Sequence, residues 1–144
     1  QVWVAKRELM FIPFFGWGLA LMKCIHIKRG SGKAAMRQLV SQGLARLKEG
    51  LWVVIFPEGT RIPAGQRGRY RIGGAVLAEQ TGYPIIPVAH NAGEYWARRS
   101  FIKYPGVIQV RIGAAIDPAG KNAQQLLNEG ADWIEARMAE ITTL

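Results

Sequence analysis

The run Leu51-Trp52-Val53-Val54-Ile55-Phe56 is unbroken apolar sequence, and it constrains the fold more than any other stretch. A strand with one wet face alternates apolar and polar residues. A continuous apolar run of this length is the pattern of a strand covered on both faces, as in a parallel sheet flanked by helices. The run ends in Pro57-Glu58-Gly59-Thr60-Arg61. Proline and glycine account for a turn after the strand. They do not account for an acid and a base three residues apart around a Gly-Thr pair.

The elements on either side support a parallel sheet. Cys24-Ile25-His26-Ile27-Lys28-Arg29 alternates and reads as a strand, and Gly30-Ser31-Gly32 turns the chain. A helix is expected from there to about Glu49, with Met36, Leu39, Val40, Leu44 and Leu47 at three-and-four spacing and Gly50 as its stop. Glu58 to Arg71 is loop-like, and Ile72 to Thr81 reads as a helix ended by Gly82. Ile85 to Ala89 is a strand whose Pro87 points to an edge or a strand end. Val107 to Ile116 alternates like a strand, and Asn122 to about Ile141 is a helix with Leu127, Ala131, Ile134, Met138 and Ile141 on one face. Alternating strands and helices imply right-handed crossovers and an α/β fold, a largely parallel sheet with helices on its faces. Ligands bind such sheets beyond the carboxyl ends of the strands, where Arg29, Glu58 to Arg61 and His90-Asn91 fall.

Length and composition narrow the class. With 144 residues, 49% hydrophobic and 20% charged, the chain is one domain's worth of folded protein. Its 19 Lys+Arg against 10 Asp+Glu give a net charge of +9, which favours anionic partners. Those partners include phosphorylated small molecules, anionic lipid and nucleic acid. A single cysteine, Cys24, excludes an intrachain disulfide, and its apolar neighbours point to a buried, inert thiol. Met10 to Met22 is uncharged and aromatic-rich but too short to span a bilayer, which takes ~20 apolar residues. A buried core helix is the expected form. Lys6, Arg7 and Lys23 flank the run and leave an interfacial segment open.

Several constellations have a bland explanation. Gly30-Ser31-Gly32-Lys33-Ala34-Ala35 matches the letters of a dinucleotide fingerprint, but no acidic residue ends the next strand at the required distance. A Gly-rich turn into a helix explains it better than a nucleotide-dependent oxidoreductase. Lys28-Arg29 is either a solvated pair or a phosphate clamp with a bidentate guanidinium. Glu58 and Arg61 would, on the bland account, form an exposed ion pair worth ~0–1 kcal/mol. On the functional account Gly59 lets backbone N–H groups approach an anion, and Thr60 and Arg61 add donors. Arg67, Arg69 and Arg71 would deepen that site. His26 sits inside a strand, and His90 follows one. Neither has an aspartate at dyad spacing, no serine lies in a nucleophile elbow, and the His/Cys content lacks metal-ligand spacing, so no metal is expected.

Together these stretches resemble the glycerolipid acyltransferase family, in particular bacterial-type 1-acyl-sn-glycerol-3-phosphate (lysophosphatidate) acyltransferases. Four places carry the resemblance: AKREL followed by IPFFGWGLAL, IHIKRGSGKAAM, FPEGTR and YPIIPVAHNAGEYW. FPEGTR is the most specific. The resemblance implies an enzyme that moves an acyl group from acyl-CoA or acyl carrier protein to the sn-2 hydroxyl of lysophosphatidate, giving phosphatidate. It implies no resident cofactor, and work at the cytoplasmic face of the inner membrane. Carried over to this chain, Glu58, Gly59, Thr60 and Arg61 would hold the phosphate-bearing acceptor, assisted by Arg29. Arg71 would open a basic-x-Gly-Gly patch, and Pro84, Ile85 and Pro87 would shape the site. The family's histidine base belongs to an N-H-x-x-x-x-D motif, which no stretch here matches. The resemblance therefore implies that residues 1–144 are an acyltransferase domain truncated at its N-terminus, with the base upstream of residue 1. The family's second motif usually reads aspartate-arginine, whereas Lys28-Arg29 adds charge beside the phosphate. The alternative from another class is a basic nucleic-acid-binding domain. The charge permits it, but no recognition-helix or aromatic-basic RNA motif appears, so no nucleic acid is expected.

Overall fold

Val2–Lys6 forms β1, the central strand of a three-stranded parallel sheet. In the computed structural model, which describes residues 1–28 and 32–143, β1 pairs on one side with β2, Ile25–Ile27, and on the other with β3, Val53–Val54. The register sets Val4 opposite Ile25 and Val2 opposite Val53. The expected α/β class with a parallel sheet and helices is what forms. The central strand itself is missing from the elements expected from periodicity.

This sheet belongs to the first of two compact units, Gln1–Ile55. Its core is Val2, Ile25 and Leu39, with Val4, Ile27, Leu51, Val53 and Ile55 packed against them. Leu39 comes from helix α2, Lys33–Lys48. The same helix caps the outer edge of β2. Gln42 Oε1 accepts from the His26 N–H and Gln42 Nε2 donates to the His26 carbonyl, both at 3.1 Å. The side-chain amide thus supplies both backbone bonds that a further strand would have made.

Two expectations fail in this unit. The apolar run before Pro57 is not covered on both faces. Leu51, Val53 and Ile55 join the core, but Trp52 stays 67% exposed and Phe56 56%. It is a half-buried strand with apolar residues on both sides. Nor is the aromatic run a core helix. It divides into a 3₁₀ turn, Arg7–Phe11, and helix α1, Phe15–Leu21. Within α1 only Gly16 is buried, seated so tightly on the Met10 carbonyl that a Cβ there would overlap it. Phe11, Phe14, Trp17 and Leu21 are exposed. Cys24 is buried, as its neighbours suggest.

The second unit, Phe56–Leu144, holds helix α3, Gly73–Thr81, strand β4, Val88–His90, a single helical turn α4, Ala92–Tyr95, strand β5, Val110–Ile112, and helix α5, Ala123–Ile141. Ala75 and Ala78 of α3 pack with Ile116, Ala123 and Leu126. Gly82 ends α3 in the left-handed region at φ 73°, donating to the Ala78 carbonyl. Asn122 starts α5 with a capping box shared with Gln125. β4 and β5 run antiparallel, a pair outside the largely parallel arrangement expected from the sequence. The ladder is interrupted around Pro87, as edge placement predicts, and resumes at the Ile85–Ile116 bridge.

Candidate functional site

Pro57-Glu58-Gly59-Thr60-Arg61 is a tight turn opening the second unit. The Gly59 N–H donates to the Phe56 carbonyl at 3.1 Å, with Pro57 at the position whose fixed φ the turn uses. Gly59 sits at φ 66°. Its own N–H is therefore committed to the turn, and its contribution is conformation and close approach. That approach is used by Arg71. A Cβ on Gly59 would lie 2.7 Å from Arg71 Nε, so the guanidinium stem crosses directly over the glycine. The Arg71 N–H donates to the Pro57 carbonyl at 2.8 Å and ties the returning loop to the turn.

The bland account of Glu58 and Arg61 does not hold, because among the described residues they form no ion pair with each other. Arg61 lies instead over the ring of Trp96, its guanidinium carbon 5.6 Å from the centroid. Among the described residues neither Arg61 nor Arg71 has a carboxylate partner, and the N–H groups of Thr60 and Arg61 make no hydrogen bond. Two guanidinium groups beside a turn with spare donors are chemically suited to a phosphate, which accepts charge-assisted, bidentate hydrogen bonds.

Glu58 faces the inner side of the same loop. Gly68 packs close against Ile62 and the Glu58 side chain. The Tyr70 hydroxyl donates to Glu135 Oε1 of α5 at 2.9 Å. Burial first, then that hydrogen bond, push the Tyr70 phenol far above its ordinary range, and the nearby Glu58 charge adds to the effect. Tyr70 therefore remains a protonated donor that fixes the loop on α5.

The sequence-derived residues thus divide. Gly59 and Arg71 meet at the turn, Arg61 reaches from its end over Trp96, and the Glu58 side chain lies against Gly68. Arg67 does not deepen the site as expected. It faces Asp132 and Glu135 of α5 at 3.8 and 3.9 Å. Arg69 and Pro84 are exposed. Ile85 packs on the α3–α5 core, and Pro87 is buried against Gly113 and the side of Trp133, so packing accounts for both. Arg29 and the Gly30-Ser31 turn lie outside the described residues. Trp96 is the residue that motif reading passed over. Its signal was an aromatic at the end of YPIIPVAHNAGEYW, with nothing in one dimension to pair it with Arg61.

The histidines take structural places. His90 Nδ1 accepts from the Ala92 N–H at 3.3 Å, starting α4. His26 lines a recess of about 320 Å³ with Arg7, Met10, Phe11, Gln38 and Gln42. Its Nε2 has no partner. Burial, then the charge of Arg46, hold its imidazole below the usual range. Neither imidazole is paired with a carboxylate. Among the described residues no group of His, Cys, Asp or Glu is arranged to hold a metal ion.

Comparison with known proteins gives a consistent answer. The family model described as Acyltransferase matches residues 1–91. A 1-acyl-sn-glycerol-3-phosphate acyltransferase of Pseudomonas aeruginosa is 51% identical over 98% of this chain and 56% of its own length. The human 1-acyl-sn-glycerol-3-phosphate acyltransferase beta is 32% identical over 85% of this chain and 44% of its own. The crystal structure of the 1-acyl-sn-glycerophosphate acyltransferase PlsC from Thermotoga maritima superposes with a TM-score of 0.79 at 24% identity, over 99% of this chain and 57% of that one. The chain spans about half the length of these relatives.

Proposed function

The chain belongs to the acyltransferase family, and we propose that it carries the acceptor-binding part of a 1-acyl-sn-glycerol-3-phosphate acyltransferase. The substrate in this reading is lysophosphatidate, with acyl-CoA or acyl carrier protein as donor and no resident cofactor. The sn-2 hydroxyl oxygen attacks the thioester carbonyl, its proton passes to a general base, the C–S bond breaks and the thiol leaves with phosphatidate formed. The observation that carries the proposal is the pair of arginines without carboxylate partners, Arg61 and Arg71, beside the Gly59 turn. They hold the acceptor phosphate, Thr60 adds its exposed hydroxyl, and Arg29 assists. Pro84, Ile85 and Pro87, which lead into β4, shape the site around the acceptor or acyl chain. Neither His26 nor His90 serves as the base, since each lacks a carboxylate to orient it. In this reading the base belongs to the family's N-H-x-x-x-x-D motif, which no stretch of residues 1–144 matches.

Among the described residues no helix is long and apolar enough to cross a membrane. The exposed Phe11, Phe14, Trp17 and Leu21, with the basic residues Lys6 and Arg7 before them, fit a segment lying in the head-group layer. We place the chain at the membrane surface, on the cytoplasmic face of the inner membrane.

The test is acyl transfer to lysophosphatidate by the chain extended at its N-terminus with a joined segment that bears the family's His-Asp motif, beside its Arg61→Ala variant. A lost charge-assisted contact of ~1.5–3 kcal/mol raises KM for lysophosphatidate roughly ten- to hundred-fold and leaves donor KM unchanged. No transfer by the extended chain with any donor or acceptor tried would overturn the assignment. Equal activity of the variant would remove Arg61 from it.

A further inference from the structure

We infer that the segment Trp96–Tyr104 is a preformed finger that docks the second unit onto an anionic lipid bilayer, beside the Arg61 site. The inference rests on the proposed membrane-surface location, but names an element distinct from the aromatic run of the first unit.

The segment is built rather than slack. The Tyr104 N–H donates to the Tyr95 carbonyl at 2.8 Å and closes its base. Trp96 Nε1 donates to the Ser100 carbonyl at 2.9 Å, and the Ser100 N–H donates to the Ala97 carbonyl at 3.2 Å. Ser100 Oγ also accepts from the Ile102 N–H at 3.1 Å. Arg99 turns the chain at φ 62°, a conformation disfavoured for a residue with a Cβ. Gly106 then packs flat on the Tyr95 ring, where any Cβ would overlap it.

What this scaffold displays is apolar. Phe101 is 102% exposed and Ile102 61%. A projecting aromatic tip gains nothing in water, and it buries its area only when it enters something that closes around it. The flanks identify the medium. From Tyr95 to Ile116 the sequence contains Arg98, Arg99, Lys103 and Arg111 and no acidic residue. None of these cations has a carboxylate partner among the described residues. Lys103 Nζ lies 4.4 Å from the Trp96 ring centroid, the same ring that carries Arg61. An apolar point ringed by cations matches hydrocarbon beneath anionic head groups. A protein partner would instead need a concave pocket for the tip. Trp96 thus joins the lipid-facing cations to the arginine proposed to take a lipid phosphate.

The experiment uses the full chain with Cys24→Ser and Phe101→Cys, labelled at residue 101 with an environment-sensitive fluorophore. Vesicles of phosphatidylcholine, with or without phosphatidylglycerol, are the probes. Emission should shift to the blue with phosphatidylglycerol vesicles and not with phosphatidylcholine alone. Separately, Phe101→Ser with Ile102→Ser should lower co-sedimentation with phosphatidylglycerol vesicles by about a hundredfold or more, since each side chain's burial contributes roughly one to two factors of ten. Co-sedimentation with a silent label would overturn the finger and leave the membrane location standing. Failure to co-sediment would remove both. A blue shift that grows with protein concentration in the absence of vesicles would assign the tip to a second copy of the chain, and would also overturn the inference.

Discussion

At the scale of single residues, the turn depends on the backbone conformation of one glycine. Gly59 holds φ 66° and lets Arg71 cross over it. Gly59→Ala should therefore destabilise the fold by ~1–2 kcal/mol through backbone strain alone. It should also displace Arg71, so urea unfolding and lysophosphatidate KM should both change. An unaltered unfolding midpoint would mean the turn relaxes freely. His26 gives a second residue-scale expectation. Its folded pKa is depressed from 6.5 by burial and by Arg46, so the unfolded chain binds the proton more readily. The associated stability is complete above that unfolded value and is lost as pH falls through the lower, folded one. Thermal unfolding followed from neutral to mildly acidic pH should show the decline, and His26→Leu should flatten it. A variant as acid-sensitive as its parent would exclude His26 as the cause. Residues of this kind are only partly legible in sequence. FPEGTR identified the turn and its charges, because an acid and a base around Gly-Thr exceed what a turn needs. Where Arg67 points, and that Arg61 rests on Trp96, depends on contacts tens of residues apart that no local pattern encodes.

Secondary-structure elements were legible where one face is wet and the other dry. Helices α2, α3 and α5 form where spacing and caps place them. β1 is not legible because Val2-Trp3-Val4-Ala5 is short and apolar without alternation. The aromatic run does not form the expected core helix, and apolar content alone does not distinguish a core segment from an exposed one. The antiparallel β4–β5 pair escaped because periodicity reports which face is buried, not strand direction. Its joint is a polar residue. Asn91, 1% exposed, accepts from the Gln109 N–H at 2.8 Å and donates to the Ile141 carbonyl at 3.1 Å. It thereby fastens the segment before β5 and the end of α5 to the end of β4. Asn91→Leu strands a half-buried donor and a buried acceptor, and should destabilise the chain by ~2–4 kcal/mol in chemical denaturation. A loss below ~1 kcal/mol would show that water replaces both bonds. By comparison Asn122→Ala, which removes a solvent-facing cap, should cost about 1 kcal/mol.

At the scale of the whole molecule, charge and exposed apolar surface occur together in both compact units. The first pairs its aromatic run with Lys6 and Arg7, and the second pairs Phe101 and Ile102 with Arg98, Arg99 and Lys103. A net charge of +9 makes the attraction to anionic vesicles long-ranged and screenable. Raising salt from ~0.05 to ~0.5 M should weaken vesicle co-sedimentation more than tenfold, as the Debye length falls to about 4 Å. Insensitivity to salt would mean that apolar insertion alone retains the chain.

The stacking of Arg61 on Trp96 has one more consequence. Indole emission responds to a charge held over its ring, so the chain carries an optical gauge of its own site. When an anion draws the guanidinium away, the light from Trp96 should change while the other four tryptophans stay constant. The difference between the parent and Trp96→Phe isolates that signal. Occupancy could then be followed in real time, without a label, and apart from any turnover.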